Sequence, residues 1–259
     1  MKNLKNLLLL LSLFQIFSCS YNNIVSIIAP HEDIEIAKEY ISKFKEKDFN
    51  FIYEHSDENI KKQLTQETFN NIETLIPNSK VSNIIMLGTH KKILNGQTYY
   101  EFLFEYEYQN KEFRIISLNF KKENTLILQG FRITATPDSQ KNINKFTLKD
   151  KTWKHITILL LAILMPLYSI FIFVLCIKTP KFKKKVLWCI LILFGIFSVS
   201  INWTTGSVNL SFFAVYFLSA SAMAASPYAA WNISFSIPLF AILFLFKRKK
   251  LIKNKQTQA

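Results

Sequence analysis

The 259-residue sequence contains only three cysteines and five glycines, too few for several common kinds of site. Cys176 and Cys189 lie inside apolar segments and Cys19 lies near the N-terminus, so a disulfide framework is excluded for residues 20–150. The sequence has no Gly-rich phosphate loop, no serine elbow, and no His and Cys cluster at zinc spacing. We therefore predict no metal, no cofactor and no enzymatic activity.

Acidic residues are absent from both ends of the chain. All 18 lie between Glu32 and Asp150, and residues 20–152 also carry 18 Lys plus Arg, so this stretch is formally neutral. The net charge of +14 therefore comes from basic residues that border apolar runs rather than from a patch on a folded surface. This arrangement predicts a lipid bilayer as a partner and argues against nucleic-acid binding.

The N-terminus has the pattern of an export signal. A basic start at residues 1–5 precedes an apolar run at 7–17, which is too short to span a bilayer comfortably. The sequence Ile16-Phe17-Ser18-Cys19 resembles a bacterial lipobox, which implies acylation of Cys19, although Phe17 is larger than the residue usual there. The alternatives are an ordinary signal peptide over residues 1–19 and an uncleaved anchor. Each of them exports the residues that follow.

Two uncharged segments in the C-terminal half predict membrane spans. Residues 156–177 form an uncharged run of 22 residues, about 33 Å long as a helix, and residues 186–246 contain no Asp, Glu, Lys or Arg. Strongly basic flanks on both sides of the second segment should share the cytoplasmic side, which predicts an even number of crossings, at about 186–203 and 228–246. These flanks are Lys181, Lys183, Lys184 and Lys185 before the segment, and Lys247, Arg248, Lys249 and Lys250 after it.

The intervening stretch 204–227 is enriched in Ser, Ala and Asn, and we expect it to be a loop, an interfacial helix or a re-entrant segment. We therefore predict a bundle of three transmembrane helices within residues 151–250, placed in a bacterial cytoplasmic membrane. Residues 20–150 would be extracytoplasmic and the tail 251–259 cytoplasmic.

Residues 20–150 show helical spacing first and strand spacing afterwards. Apolar residues at helical spacing predict helices near 34–44, 49–53 and 69–76, the last ended by Pro77. Beyond Pro77 the period is two, and Asn95-Gly96 is a strong hairpin signal. The candidate strands are 80–87, 90–94, 98–108, 112–121 and 125–136. This order predicts an α+β domain, with helices packed on an antiparallel sheet of four to five strands.

The stretch from about Asp33 to Pro137 resembles the nuclear-transport-factor-two-like, or cystatin-like, roll. The resemblance covers about two fifths of the chain and rests on element order and on the opening IAKEYISKFKEKDFNFIYEHSDENIKKQLT. It implies either an isomerase or dehydratase, or a domain that only binds or dimerises. Enzymes of this group use an Asp or His inside the cone, for which the candidates are His31, His55, His90 and Asp57. We predict that each is a solvated surface residue.

A stripe of aromatic residues is the feature with most interest for ligand binding. Tyr100, Phe102, Phe104, Tyr106 and Tyr108 share one face of a predicted strand, and we expect the carboxylates Glu105 and Glu107 on the opposite, solvated face. Such a stripe is usually core, but in a roll with a cavity it would line a site for an apolar small molecule.

Together these patterns predict a non-enzymatic membrane protein whose exported domain binds a partner protein or a small apolar ligand. The alternatives are an enzyme of the roll class acting on an apolar small molecule, and an accessory subunit of a membrane complex working through residues 204–227.

Overall fold

The computed structural model describes residues 28–180, 182 and 184–256, with the backbone alone for residues 249–256. The described residues form two compact units, divided between Gln140 and Lys141, and these are taken in turn. Several predicted features lie outside the described residues, namely the signal at 1–19 with Cys19, the flanking Lys181 and Lys183, and residues 257–259. The side chains of Lys249 and Lys250 are likewise not described.

Four helices precede the sheet in the described part of the first unit, and the starts of the last three are fixed by side-chain caps. The side chains of Asp48, Asp57 and Thr65 each accept a hydrogen bond from a backbone N–H in the first turn of the helix that follows. The helices are α1 His31–Glu46, α2 Phe49–Glu54, α3 Glu58–Gln63 and α4 Gln66–Leu75. The strands are β1 Val81–Leu94, β2 Gln97–Tyr108, β3 Phe113–Lys122 and β4 Leu126–Thr136.

These strands form an antiparallel sheet in the order β1-β2-β3-β4. The β1–β2 turn has φ of 50° at Asn95 and 76° at Gly96, the left-handed pair that a type I′ hairpin requires. The two strands predicted before this turn are one continuous strand, β1, with a bulge between Met86 and Gly88. The α+β order and the antiparallel sheet of this unit agree with the sequence prediction.

The core of the first unit lies between α1 and the sheet. From α1 the residues Ala37, Tyr40, Ile41 and Phe44 are buried, at the helical spacing predicted from the sequence. The facing side chains of the sheet are Phe102, Phe104, Tyr106, Ile116, Leu118, Phe120 and Leu128, each no more than 1% exposed. Burial of this aromatic and aliphatic area is the main stabilising term of the unit.

The second unit joins a long apolar helix to a second antiparallel sheet. A short helix, α5 Gln140–Ile143, covers the point in the sequence at which the second unit begins. The elements that follow are α6 Trp153–Lys178, α7 Lys185–Ile192, β5 Phe194–Asn202, β6 Val208–Phe217, β7 Ala220–Met223, β8 Asn232–Ile237 and α8 Leu239–Gln256. The strand order is β6-β5-β8-β7, so that β6 and β7 are the edges of this sheet.

The predicted bundle of three transmembrane helices is wrong. Within the described residues one helix, α6, is long and apolar enough to cross a membrane by its length and composition. The segment predicted as the span 186–203 is the short helix α7 followed by β5, and the segment 228–246 is β8 followed by the start of α8. The physical reason is periodicity, because Ser alternates with Ile, Val or Phe in β5 and β8, which favours strands over a helix.

Candidate functional site

An open cleft lies at one end of the first unit, with a volume of about 590 Å³. One wall is the corner between α2 and α3, from Glu54 to Lys61, and the other is the turn between β3 and β4 together with Tyr99. Backbone bonds hold the corner to the sheet: Asp57 N donates to Leu128 O at 2.9 Å, and Leu128 N donates to His55 O at 3.1 Å. The cleft is therefore framed by backbone geometry rather than by surface side chains alone.

The cleft has an excess of acidic groups. The carboxylates that line it are Glu54, Asp57, Glu58 and Glu123, against the ammonium groups of Lys61 and Lys121. Lys121 Nζ lies 2.6 Å from Glu123 Oε1, and the hydrogen bond that it donates to this carboxylate is the main cause that raises the pKa of Lys121. A ligand with hydrogen-bond donors or positive charge suits this lining.

His55 and Asp57 both line this cleft, but each also has a structural role. His55 stacks on Phe51 with ring centroids 4.2 Å apart, and its Nδ1 lies 2.9 Å from the Phe51 carbonyl oxygen. Asp57 caps α3 by accepting a hydrogen bond from Ile60 N at 2.8 Å. These contacts place and orient the two side chains, so the cleft has the character of a binding surface.

The two other predicted histidines lie elsewhere. The side chain of His31 is 85% exposed and lies 3.8 Å from Glu35, and His90 is exposed on β1. Both are surface residues, as the sequence predicts.

The aromatic stripe of β2 lies in the core beneath α1. Tyr100 is 5% exposed, and Phe102, Phe104 and Tyr106 are at most 1% exposed. The Tyr106 hydroxyl donates to the Ile41 carbonyl oxygen at 2.9 Å, and burial raises the pKa of Tyr106. The predicted shared face is therefore present, whereas a ligand cavity lined by these side chains stays a prediction.

Glu105 departs from the sequence prediction, because it is buried rather than solvated. It is 1% exposed on the side of β2 opposite to the aromatic stripe. One carboxylate oxygen accepts a hydrogen bond from Gln140 N, and the other has no hydrogen-bond partner. Burial raises the pKa of Glu105, while the Gln140 N–H opposes that shift. No local sequence signal could reveal this, since the covering backbone is 35 residues away.

Trp203 organises one end of the second unit, here called the tryptophan end. It is 1% exposed, its indole Nε1 donates to Thr147 O at 2.8 Å, and its own carbonyl accepts from Lys151 Nζ at 2.6 Å. His155, in the first turn of α6, meets the Trp203 ring edge-on at 5.3 Å. Gly206 has φ of 72°, and a Cβ there would lie 3.0 Å from His155 Cε1, so this turn requires glycine.

The opposite end of the second unit, here called the basic end, joins α6, α7 and α8. Lys185 Nζ donates to the carbonyl oxygens of Ile177 at 2.7 Å and Thr179 at 2.6 Å, which completes the C-terminus of α6. Arg248 Nε donates to Thr179 Oγ1 at 3.2 Å. Lys185 before the uncharged segment and Arg248 after it therefore lie at the same end of the unit.

Between these ends the chain passes along α6 in both directions. From Lys185 it runs through α7 and β5 to Trp203, about 42 Å by element lengths, against about 39 Å for α6. It returns through β8 and α8, since Trp203 N donates to Trp231 O at 2.7 Å and Arg248 contacts Thr179.

The outer surface of the second unit is apolar. On α6 the exposed side chains recur every three or four residues and include Leu160, Ile163, Leu164, Leu167 and Phe171. The edge strand β6 exposes Leu210, Phe212, Phe213 and Val215, each by at least 60%. A water-exposed protein surface of this extent would carry charges, and residues 186–246 have none.

Comparison of the chain with protein-family models, with curated proteins and with solved structures gives no match. Function is therefore argued from the chain's own geometry.

Proposed function

We propose that this chain is a non-enzymatic protein embedded in a bacterial cytoplasmic membrane, which presents its first unit on the extracytoplasmic side to bind a partner protein or small ligand. The observation that supports it best is the second unit, whose uncharged, apolar outer surface lies between the tryptophan end and the basic end. Such a surface fits a hydrocarbon layer bounded by two polar interfaces.

The energy of transfer into lipid favours insertion of α6. Residues 156–177 contain 15 Ile, Leu, Phe or Val, each worth about −0.3 to −0.6 kcal/mol in a membrane span, which gives several kcal/mol in total. Only 17% of its most apolar 18-residue stretch is buried by protein, so most of that stretch is free to contact acyl chains.

The two ends suggest an orientation. Lys185 and Arg248 at the basic end belong on the cytoplasmic side, and Trp203 with Lys151 belongs at the opposite interface. The segments α7 with β5 and β8 with α8 run between the same two ends alongside α6, the one helix of the described residues that is long and apolar enough to cross a membrane. An export signal before residue 20, with or without acylation of Cys19, agrees with an extracytoplasmic first unit.

The acidic cleft of the first unit is the surface that best supports a binding role. Its capped corner between α2 and α3 is held to β4 by backbone bonds, and it offers both carboxylates and ammonium groups to a ligand. The helix-then-sheet order also resembles the nuclear-transport-factor-two-like roll, a fold whose members include pure binding domains.

Membrane embedding is tested by lysine substitutions on the exposed stripe of α6. Ile163 and Leu167 are 52% and 58% exposed, and replacing both with Lys adds about 5–7 kcal/mol against insertion at the middle of a span. We expect the wild-type chain to stay in the membrane pellet after alkaline extraction, and the double-lysine variant to be lost from it. The control replaces both residues with Ala. Release of the wild-type chain by alkaline carbonate would contradict the proposal.

Binding by the cleft is tested by reversing its charge. Glu58→Lys with Glu123→Lys changes two exposed carboxylates of the cleft, and Glu32→Lys with Glu39→Lys makes the same change on the exposed face of α1. We expect a partner or ligand recovered from native membranes with the wild-type chain to be lost from the cleft variant and kept by the control. Equal recovery by both variants would remove the cleft from the proposal.

The edge strand β6 favours a second candidate, a membrane complex built from copies of this chain. Open sheet edges do not occur in hydrocarbon, because unpaired backbone N–H and C=O groups cost several kcal/mol each. A second copy supplies an identical uncharged edge, which pairs antiparallel about a two-fold axis without charge repulsion. Single cysteines placed along residues 208–217 should cross-link between copies most strongly around one position. No cross-link at any position would rule this candidate out.

A further inference from the structure

Two cysteines of the second unit lie next to one another across two helices. Cys176 is on the last turns of α6 and Cys189 is on α7, and their Sγ atoms are 3.1 Å apart. Both are free thiols in this structure. Cys176 is fully buried, whereas Cys189 is partly exposed. The chain has only one other cysteine, Cys19, so this pairing uses all the cysteines of the second unit.

The surrounding contacts fix the positions of the two sulfur atoms. Lys185 Nζ ties the start of α7 to the carbonyl oxygens of Ile177 and Thr179, and Thr179 Oγ1 donates back to Leu175 O at 2.7 Å. Cys176 belongs to a buried cluster and Cys189 packs against it. The other buried members are Ile172 of α6, Phe182 between α6 and α7, Ile192 of α7, and Ala241 and Phe244 of α8. The pair is therefore placed by the packed ends of helices, and not by a loose loop.

We propose that Cys176 and Cys189 are a modification site that forms a reversible intramolecular disulfide by exchange with a low-molecular-weight disulfide. An S–S bond is ~2.0 Å long, so the two sulfur atoms need to approach by only about 1 Å. This proposal does not depend on the binding role of the first unit.

The exposure of the two thiols sets the order of the reaction. Cys189 Sγ loses its proton and attacks one sulfur of the external disulfide, whose other sulfur leaves as a thiolate with the bonding electron pair. Cys176 Sγ, after losing its own proton, then attacks Cys189 Sγ and displaces the second external thiolate. The two thiolates take up the two released protons, so the chain loses two electrons and two protons while the external disulfide becomes two thiols.

The bond would join α6 to α7 around the basic loop. The 12 residues between the two cysteines include Lys178, Lys184 and Lys185, which form part of the basic end. Oxidation would keep the end of α6 joined to α7 even when the hydrogen bonds of Lys185 are broken. A disulfide close to a cytoplasmic surface is expected to be transient and to respond to the redox state, because that compartment is reducing.

The test uses the full-length chain in membranes, with Cys19→Ser so that only the pair is counted. Membranes are treated with oxidised glutathione, quenched with acid, denatured, and labelled with a maleimide that adds a fixed mass to each free thiol. We expect two labels before oxidation, none after it, and two again after a thiol reductant. In the same background, Cys176→Ser leaves Cys189 without a resolving thiol, so oxidised glutathione should block it as a mixed disulfide that adds the mass of one glutathione. Cys189→Ser leaves only the buried Cys176, which should keep its label, and the intact pair should lose both labels without gaining glutathione mass.

A matched control moves one thiol by a single residue. Cys189→Ser with Ile190→Cys keeps two thiols but places the second at a position of α7 whose native side chain is 51% exposed. Oxidation should then add glutathione mass to the moved thiol and should not bridge the two cysteines. Three results would overturn the proposal. The first is that the Cys19→Ser chain keeps two labels at every concentration of oxidant. The second is that the moved-thiol variant forms the bridge as efficiently as the native pair. The third is that a metal chelator, and not a reductant, restores labelling of the two thiols.

Discussion

Gly195 offers a sensitive test of the second sheet. A Cβ at this position would lie 2.2 Å from Ser236 Oγ and 2.6 Å from Ser219 Oγ, well inside van der Waals contact. Neither serine has room to move: both are fully buried, and Ser236 N donates to Ser219 O at 2.8 Å. Ser219 also shares a hydrogen bond of 3.2 Å with Ser169 on α6. Gly195 in β5 therefore packs against Ser219 in the turn before β7, and Ser219 in turn contacts α6, so a side chain at Gly195 would disturb all three elements.

We expect Gly195→Ala to destabilise the protein by about 2–4 kcal/mol. Overpacking of this kind costs about 1–3 kcal/mol, and displacement of Ser219 adds about 1 kcal/mol for the disturbed hydrogen bond to Ser169. For a chain of this size the melting temperature should fall by roughly 5–15 °C in detergent solution. Adding Ser219→Gly to the Gly195→Ala chain removes two of the clashing atoms, and glycine readily adopts the φ of 62° found at this position. The double variant should therefore recover part of the lost stability.

The matched control is Gly130→Ala in β4, where the nearest atom to the new Cβ is Asn119 Nδ2 at 3.9 Å. That variant should melt close to the wild-type temperature. The melting temperatures of these two variants also distinguish the strand β5 from the transmembrane helix predicted to include residues 194–202. In a transmembrane helix, Ala in place of Gly is favourable by about 1 kcal/mol, so a Gly195→Ala variant that melts at or above the wild-type temperature would refute the strand.

Two further predictions concern the first unit. Tyr106→Phe removes the hydroxyl donated to Ile41 O and should lower the melting temperature by about 2–4 °C, whereas Tyr99→Phe, whose hydroxyl is exposed, should change it little. Because the pKa of Glu105 is raised in the folded state, its contribution to stability is highest below the ordinary value of 4.5 and declines as the pH rises. The melting temperature of Glu105→Gln should therefore equal that of the wild type in acid and exceed it toward neutral pH. Gln140 N keeps a hydrogen-bond acceptor in both chains. A difference in melting temperature that stays constant across this pH range would contradict the burial of a titrating carboxyl group.

Local sequence pattern predicts much of the first unit because its signals act over a few residues. The Asn95-Gly96 turn fixes the β1–β2 hairpin, and the alternation along residues 98–108 places the aromatic side chains on one face of β2. The helix α3 is not predicted, because it is short and has no buried residue to give a periodic signal. Its position is set by the Asp57 cap and the neighbouring backbone bonds to Leu128.

The second unit is harder to predict because hydropathy and periodicity compete. Lack of charge over residues 186–246 favours transmembrane helices, yet the alternating serines of β5 and β8 favour strands. Gly195 and Pro238 are additional signals, since one permits the close approach of Ser219 and Ser236 and the other separates β8 from α8. Arg248 contacts Thr179, to which Lys185 also binds, so these two residues of the basic flanks lie together, while the side of the membrane that they face stays a prediction.

The proposed placement of the second unit in the membrane, with its tryptophan end extracytoplasmic and its basic end cytoplasmic, is tested most directly by cysteine labelling. Ser207, exposed in the turn beside Trp203, and Gln256, at the end of α8, mark these two ends. Each is replaced by Cys in a chain whose other cysteines are Ser, and intact cells are treated with a membrane-impermeant maleimide. We expect Ser207→Cys to be labelled in intact cells and Gln256→Cys to be labelled only after the cells are permeabilised. Labelling of both positions from the same side would contradict it.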